Sequence, residues 1–116
     1  MTESELKQRT KQFAVRVIKL VGALPKTTEG KALGAQLIRS GTSVGANYRA
    51  ACRGRSKAEF TSKLGTVEEE ADESAYWLEL IMEGGLLPKK RVDGLCQEAS
   101  ELTAIMAASR HTASSA

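Results

Sequence analysis

Histidine and cysteine are scarce in this chain of 116 residues, and their scarcity excludes several kinds of site. The single histidine, His111, lies near the C-terminus, so the main part of the chain has no histidine for a catalytic triad, a general base or a metal cluster. The two cysteines, Cys52 and Cys96, form no C-x-x-C pair and favour neither metal binding nor redox chemistry. We therefore expect a protein that is not an enzyme and that uses no cofactor and no metal.

Aromatic residues and long apolar runs are also missing. Aromatic residues make up only 4% of the chain, which argues against a base-stacking platform for single-stranded nucleic acid. No run of about 18 apolar residues occurs, as a membrane-spanning helix would need. The N-terminus lacks the basic start and apolar stretch of a secretory signal. These absences predict a cytoplasmic protein with no membrane segment.

The sequence does contain apolar residues at helical spacing, in four segments. Capping signals, prolines and glycines separate the segments, and no alternating strand pattern competes with them. The boundaries, in chain order, are Thr2, Pro25, Thr27 or Thr28, Gly54, Ser56, Gly84 and Pro88. The pattern predicts an all-α, up-down-up-down four-helix bundle over residues 1–110, followed by a flexible tail over 111–116.

The second segment has a weak point at Ser40-Gly41-Thr42-Ser43, where a helix can kink. Glycine costs about 1 kcal/mol relative to alanine inside a helix, so a break into two short helices is the alternative interpretation. A continuous helix is favoured. Gly41 and Gly45 lie four residues apart and remove side-chain bulk from one strip, so that a neighbouring helix can approach closely.

Charges of opposite sign are segregated along the chain, although the net charge is only +3. Residues 31–63 hold seven basic side chains and one acidic side chain, whereas residues 68–101 hold ten acidic and three basic ones. In a bundle these two stretches are neighbours. Part of this charge is therefore expected to cancel within the protein or between its subunits.

The basic residues of the second helix are candidate contacts to nucleic-acid phosphates, because three arginines share the side opposite its apolar residues. Two more cations follow in the next turn. The predicted contacts are Arg39, Arg49, Arg53, Arg55 and Lys57. Pairing between subunits with third-helix carboxylates such as Glu70 and Glu73 is the alternative, and for Arg39 it is at least as strong.

Large apolar side chains on the outside of the predicted helices indicate a homo-oligomer. Tyr76, Trp77 and Leu80 lie off the apolar stripe of the third helix, and Val15 and Ile18 lie off that of the first. Such clusters are enriched at subunit interfaces. We therefore predict an oligomer interface at Tyr76, Trp77 and Leu80.

Nearly all of these segments resemble the four-helix-bundle proteins encoded in 23S ribosomal RNA intervening sequences. The resemblance is carried by R-S-G-T-S-V-G-A-N-Y-R-A-A over residues 39–51, S-K-A-E-F over 56–60 and Y-W-L over 76–78. It implies a ring-shaped homopentamer. It also implies kinship with the accessory variability determinant of bacterial diversity-generating retroelements, a basic pentamer that binds nucleic acid and a reverse transcriptase.

These observations together predict an oligomeric bundle that binds RNA or other nucleic acid through backbone contacts of a basic helix face. The alternative is an adaptor or scaffold that docks a partner protein, such as a reverse transcriptase, without touching nucleic acid. A further possibility, a phosphate loop at residues 41–45, is disfavoured because the G-x-x-x-x-G-K-[ST] pattern and a preceding strand are both missing.

Overall fold

The computed structural model describes residues 1–115, which form four helices joined by short loops. Their bounds are α1 Glu3–Gly22, α2 Thr28–Cys52, α3 Lys57–Glu83 and α4 Lys89–Ser115. The described residues contain no β-strand, and the molecule measures about 47 × 19 × 19 Å. The predicted all-α fold with four helices is confirmed.

The helices begin where side chains satisfy the free amides of their first turns. Thr2 and Glu5 form a capping box, in which the Thr2 hydroxyl accepts from the Glu5 amide and the Glu5 carboxylate accepts from the Thr2 amide. The Thr27 hydroxyl accepts from the Gly30 amide at 3.1 Å, so Thr27 and not Thr28 caps α2. These contacts explain why the sequence signals locate the helix starts so closely.

Each helix packs against the next one along the chain, and α1 also contacts α4 less extensively. The interior is aliphatic, as the shortage of aromatic residues requires, and Phe13 is the one phenylalanine that it buries completely. The other large side chains that are completely buried are Leu37, Leu64, Leu78, Ile81, Leu102 and Met106. Three buried hydroxyls interrupt this core: that of Thr10 on α1, and those of Ser40 and Ser74, whose oxygens lie 2.9 Å apart between α2 and α3.

The glycines of α2 allow α1 to lie unusually close. A Cβ atom on Gly41 would lie 2.9 Å from both Cγ atoms of Val17, and one on Gly45 would lie 3.3 Å from the Thr10 hydroxyl. Nearer the start of α2, Gly34 makes the same kind of approach to Val21. The predicted close approach of a neighbouring helix is therefore present. Helix α2 is continuous through this region, so the alternative of two short helices is wrong.

The last helix extends past the predicted domain boundary. The sequence interpretation ended the bundle at residue 110, but α4 continues as a helix to Ser115. Neither glycine nor proline occurs after Gly94, so nothing in this stretch breaks the backbone hydrogen-bond ladder. Residue 116, the last of the predicted tail, lies outside the described residues.

Replacing Gly41 by alanine tests the close approach of α1 and α2. We expect the free energy of unfolding to fall by about 1–3 kcal/mol, the usual cost of overpacking, because Val17 is β-branched and cannot move aside easily. The control is Gly94→Ala, an exposed helical site with no atom closer than 3.6 Å, which should gain up to about 1 kcal/mol from helix propensity. Urea denaturation measures both, and a stabilised Gly41→Ala protein would contradict the packing described here.

Candidate nucleic-acid interface

Four of the five predicted phosphate contacts lie at one end of the bundle. Arg49 and Arg53 end α2, Arg55 is in the connecting loop and Lys57 begins α3. All four side chains are exposed. Because α1 runs antiparallel to α2, the first turns of α1 lie at this same end, which is called the basic end below.

A groove between α1 and α2 forms one side of the basic end. It has a volume of about 240 Å³ and is lined by Lys7, Lys11 and Arg49, with small residues such as Gly45 and Ala46 forming its floor. The small residues that let α1 approach α2 also leave this groove unfilled. The result is a concave surface with three cationic side chains around it.

Sequence reasoning missed Lys7 and Lys11. Both residues are about 40 positions away from Arg49 in the chain, so no local pattern connects them. The signal that was available is the antiparallel pairing of α1 with α2, which brings the start of one helix beside the end of the other. A contact between Thr10 and Gly45 places these three residues on the same level of the bundle.

The cations of the basic end have few carboxylate partners. Within residues 1–115, no acidic side chain lies at ion-pair distance from Arg49, Arg53 or Arg55. Lys7 pairs with Glu3 on the same helix at 3.1 Å, and this exposed pair contributes little. The basic end therefore keeps a net positive potential that is available to an anionic partner.

Arg39 is separated from this group and has partners within its own chain. Its guanidinium contacts Glu70 at 3.4 Å and also contacts Glu73, which connects α2 to α3. The Glu73 carboxylate also accepts a hydrogen bond from the Trp77 indole at 3.2 Å. The sequence interpretation named these carboxylates but placed them in another subunit, whereas the structure pairs them with Arg39 within one chain, because α2 and α3 are packed neighbours.

The remaining arginines that connect helices are paired in the same way. Arg9 makes a two-pronged contact with Glu98 at 2.7 Å and reaches Glu101 at 2.8 Å, which ties α1 to α4. Arg110 contacts Glu68 at 2.9 Å, which ties α4 to α3. Two-pronged arginine contacts with carboxylates are the stronger class of such pairs. The arginines that connect helices are therefore paired, whereas those of the basic end, like Arg16 and Arg91 in a groove between α1 and α4, have no carboxylate at ion-pair distance among the described residues.

The predicted oligomer residues differ in exposure. Tyr76 is 53% exposed, whereas Trp77 and Leu80 are half-buried. The rings of Tyr76 and Trp77 are in tilted contact, with centroids 5.2 Å apart. Trp77 is thus held by its own chain, and Tyr76 is the one of the three predicted residues that is exposed.

The titratable side chains near the core show no activated nucleophile among the residues described. Burial raises the pKa of both thiols, Cys52 and Cys96, and nearby Glu79 and Asp93 raise that of Cys96 further. Burial likewise raises the pKa of Tyr48. Across residues 1–115, no three His, Cys, Asp or Glu side chains are grouped to hold a metal ion. None of the helices, as far as they are described, is long and apolar enough to cross a membrane.

The different surroundings of Arg39 and Arg49 predict different effects on stability. Removing Arg39 leaves two carboxylates facing each other, so Arg39→Ala should lower the free energy of unfolding by about 0.5–1 kcal/mol. The matched control Arg49→Ala removes an exposed side chain without a partner and should stay within about 0.5 kcal/mol of the parent. Urea denaturation at low salt measures the difference, and equal effects would count against the pairing.

Comparisons with known proteins place this geometry in a family. A crystal structure at 1.70 Å of a protein of unknown function, from the S23 ribosomal protein family of Bacteroides thetaiotaomicron, superposes with a TM-score of 0.81. The match covers 87% of this chain and 94% of the other at 32% identity. A comparison with curated proteins finds no match. The sequence pattern of the 23S rRNA-intervening sequence proteins matches residues 2–108, and this chain therefore belongs to that family.

Proposed function

We propose that this protein is a non-enzymatic oligomer that binds nucleic acid at its basic end through contacts to backbone phosphates. The observation that carries the proposal is the contrast between its arginines. Arg39, Arg9 and Arg110 have carboxylate partners, whereas Arg49, Arg53 and Arg55 have none among the described residues.

Like charges held together repel one another, and a polyanion that neutralises them relieves this repulsion and releases its own counterions. Lys7 and Lys11 add to the same field from the α1 side of the groove. A phosphodiester backbone presents regularly spaced anions, which suits cations spread over a helix end and a groove better than a single anionic ligand would.

Recognition at this site is expected to depend on backbone and shape, not on base sequence. The aromatic side chains that are best placed for stacking, Tyr76 and Trp77, lie in the second half of α3. Along a helix, the 19 residues between Lys57 and Tyr76 correspond to about 28 Å. The basic end therefore has cations but no exposed aromatic pair beside them, a pattern typical of phosphate contacts.

The proposed assembly is a ring-shaped homopentamer, as the family resemblance implies. Each copy carries a net charge of +3, and a ring repeats its basic end once per subunit. Repeated positive sites on one particle raise affinity for a long polyanion without any new contact, because the later contacts form within one complex. This supports binding to an extended nucleic acid rather than to a short anionic peptide.

The experiment is a titration of the purified protein with a structured 23S ribosomal RNA fragment, and separately with unrelated duplex DNA, between about 50 and 200 mM salt. We expect a steep fall in affinity with salt for the parent. The variant Arg49→Ala/Arg53→Ala should bind less tightly, and its log–log salt slope should be flatter by about one unit per lost contact.

Arg39→Ala is the control, because it removes one positive charge from a site that is already paired. It should leave the salt slope unchanged. Equal slopes for the parent and the Arg49/Arg53 variant would contradict the proposed contacts. A parent protein that binds neither ligand at low salt would instead favour the adaptor role, in which the ring docks a partner protein.

A further inference from the structure

Two exposed apolar surfaces of the bundle have surroundings of opposite charge. The first surface, called the α1/α2 face, comprises Val15, Ile18 and Ile38. The second, called the α3 face, comprises Tyr76 and Leu80. Exposed apolar side chains that cluster on a small protein usually mark a surface that becomes covered.

The α1/α2 face follows from the close approach of these helices. Val17 packs on Gly41 and Val21 on Gly34, so Ile18 lies beside α2, level with Ile38. Their side chains are 49% and 36% exposed, and Val15, one turn along the outer side of α1, is 42% exposed. Helix α1 contributes Val17 and Leu20 to the core, whereas Val15, Ile18 and Ile38 lie outside it.

A groove of about 190 Å³ adjoins this face at Ile38. Gly34 and Ala35 line it, and their small size keeps it open. Lys26 and Lys31 lie at its edge, and both side chains are exposed without an acidic partner among residues 1–115. The α1/α2 face is thus an apolar surface with a positively charged border.

The α3 face has the opposite character. Tyr76 is the most exposed aromatic side chain, and Glu69, Asp72 and Glu83 surround it on the outer side of α3. These three carboxylates are exposed and have no cationic partner among the residues described, unlike Glu68, Glu70 and Glu73, which arginines neutralise. The α3 face is thus an aromatic surface with a negatively charged border.

We infer that the α3 face of one copy docks on the α1/α2 face of a second copy. This rests on the self-association proposed above and names the surfaces that perform it. The borders are complementary, because lysines of one face meet carboxylates of the other, and the groove beside Ile38 receives the Tyr76 ring. Neither face can pair with itself, since like charges would then be opposed across the contact.

A contact between two different faces is heterologous, so each copy offers one face to each of two neighbours. The helices α1 and α3 are not packed against one another in the described bundle, and each can therefore contact a separate neighbour. Copies joined in this way form a closed ring when the rotation between them closes, and otherwise a filament. Both faces lie away from Arg53 and Arg55, so the contact leaves these two arginines uncovered, while Lys11, which shares a groove with Val15, lies at its edge.

The test uses two variants that each break one face. Ile18→Glu/Ile38→Glu places carboxylates on the α1/α2 face, where they would face the carboxylates that surround Tyr76 in the second copy. Tyr76→Lys places a cation on the α3 face, opposite Lys26 and Lys31. The control is Ser100→Glu, an exposed site on α4 outside both faces. Circular dichroism shows whether each variant keeps the helix content of the parent.

Sedimentation or light scattering then gives the masses. We expect a multiple of 12.5 kDa for the parent and the control, and 12.5 kDa for each variant alone. When the two variants are mixed in equal amounts, one intact face of each kind remains. The mixture should therefore form a dimer of twice 12.5 kDa and nothing larger, which only a heterologous contact produces.

Three results would overturn the inference. If only one variant dissociates, the contact is between identical faces. If both variants keep the parent's mass, other residues form the interface and the proposed self-association stands without these faces. If the parent itself is a monomer, both the faces and the self-association are wrong, while nucleic-acid binding by the basic end is tested separately by its salt slope.

Discussion

The structure depends most on the close packing of α1 against α2 along the glycines of α2. Close packing is stabilising only where side chains fill the available space without overlap, and here Val17 occupies the space that a Cβ atom on Gly41 would need. The same contact sets the level of α1 relative to α2. It thereby brings Lys7 and Lys11 beside Arg49 and places Ile18 beside Ile38, so both the proposed phosphate site and the proposed α1/α2 face follow from one packing arrangement.

Charge is organised by the same geometry. The acidic stretch of α3 and α4 is partly neutralised by arginines that reach across from other helices, as Arg39 does to Glu70 and Arg9 to Glu98. Among the charges that remain, cations border the groove of the basic end and the groove at Ile38, and carboxylates surround Tyr76. A net charge of only +3 therefore conceals strongly charged local surfaces.

The fold was largely predictable because its signals are local. Capping residues such as Thr2 and Ser56 and the apolar spacing of each segment locate the four helices. The end of α4 was not predictable from the apolar spacing. A glycine or proline marks where a helix stops, but a stretch without either one, such as that after Gly94, does not show how far the helix continues. The groove cations Lys7 and Lys11 depend on which helices are neighbours, and a helical pattern does not contain that information. The partners of Arg39, Glu70 and Glu73, were named from the charge pattern, but as contacts between subunits and not within one chain. Whether the basic end binds phosphate is a property of a partner and stays a prediction.

The buried pair Ser40 and Ser74 sets the register of α2 and α3. An aliphatic interface between two long helices tolerates sliding by one turn, about 5.4 Å, because one leucine replaces another at similar cost. The contact between two buried hydroxyls 2.9 Å apart opposes such sliding, because a shifted helix would break the hydrogen bond between Ser40 and Ser74. Each hydroxyl would then keep only the backbone carbonyl of its own helix, Leu37 for Ser40 and Glu70 for Ser74. One alignment of α2 with α3 is therefore favoured, and this alignment sets how far Arg49, near the end of α2, lies along the bundle from Tyr76 on α3.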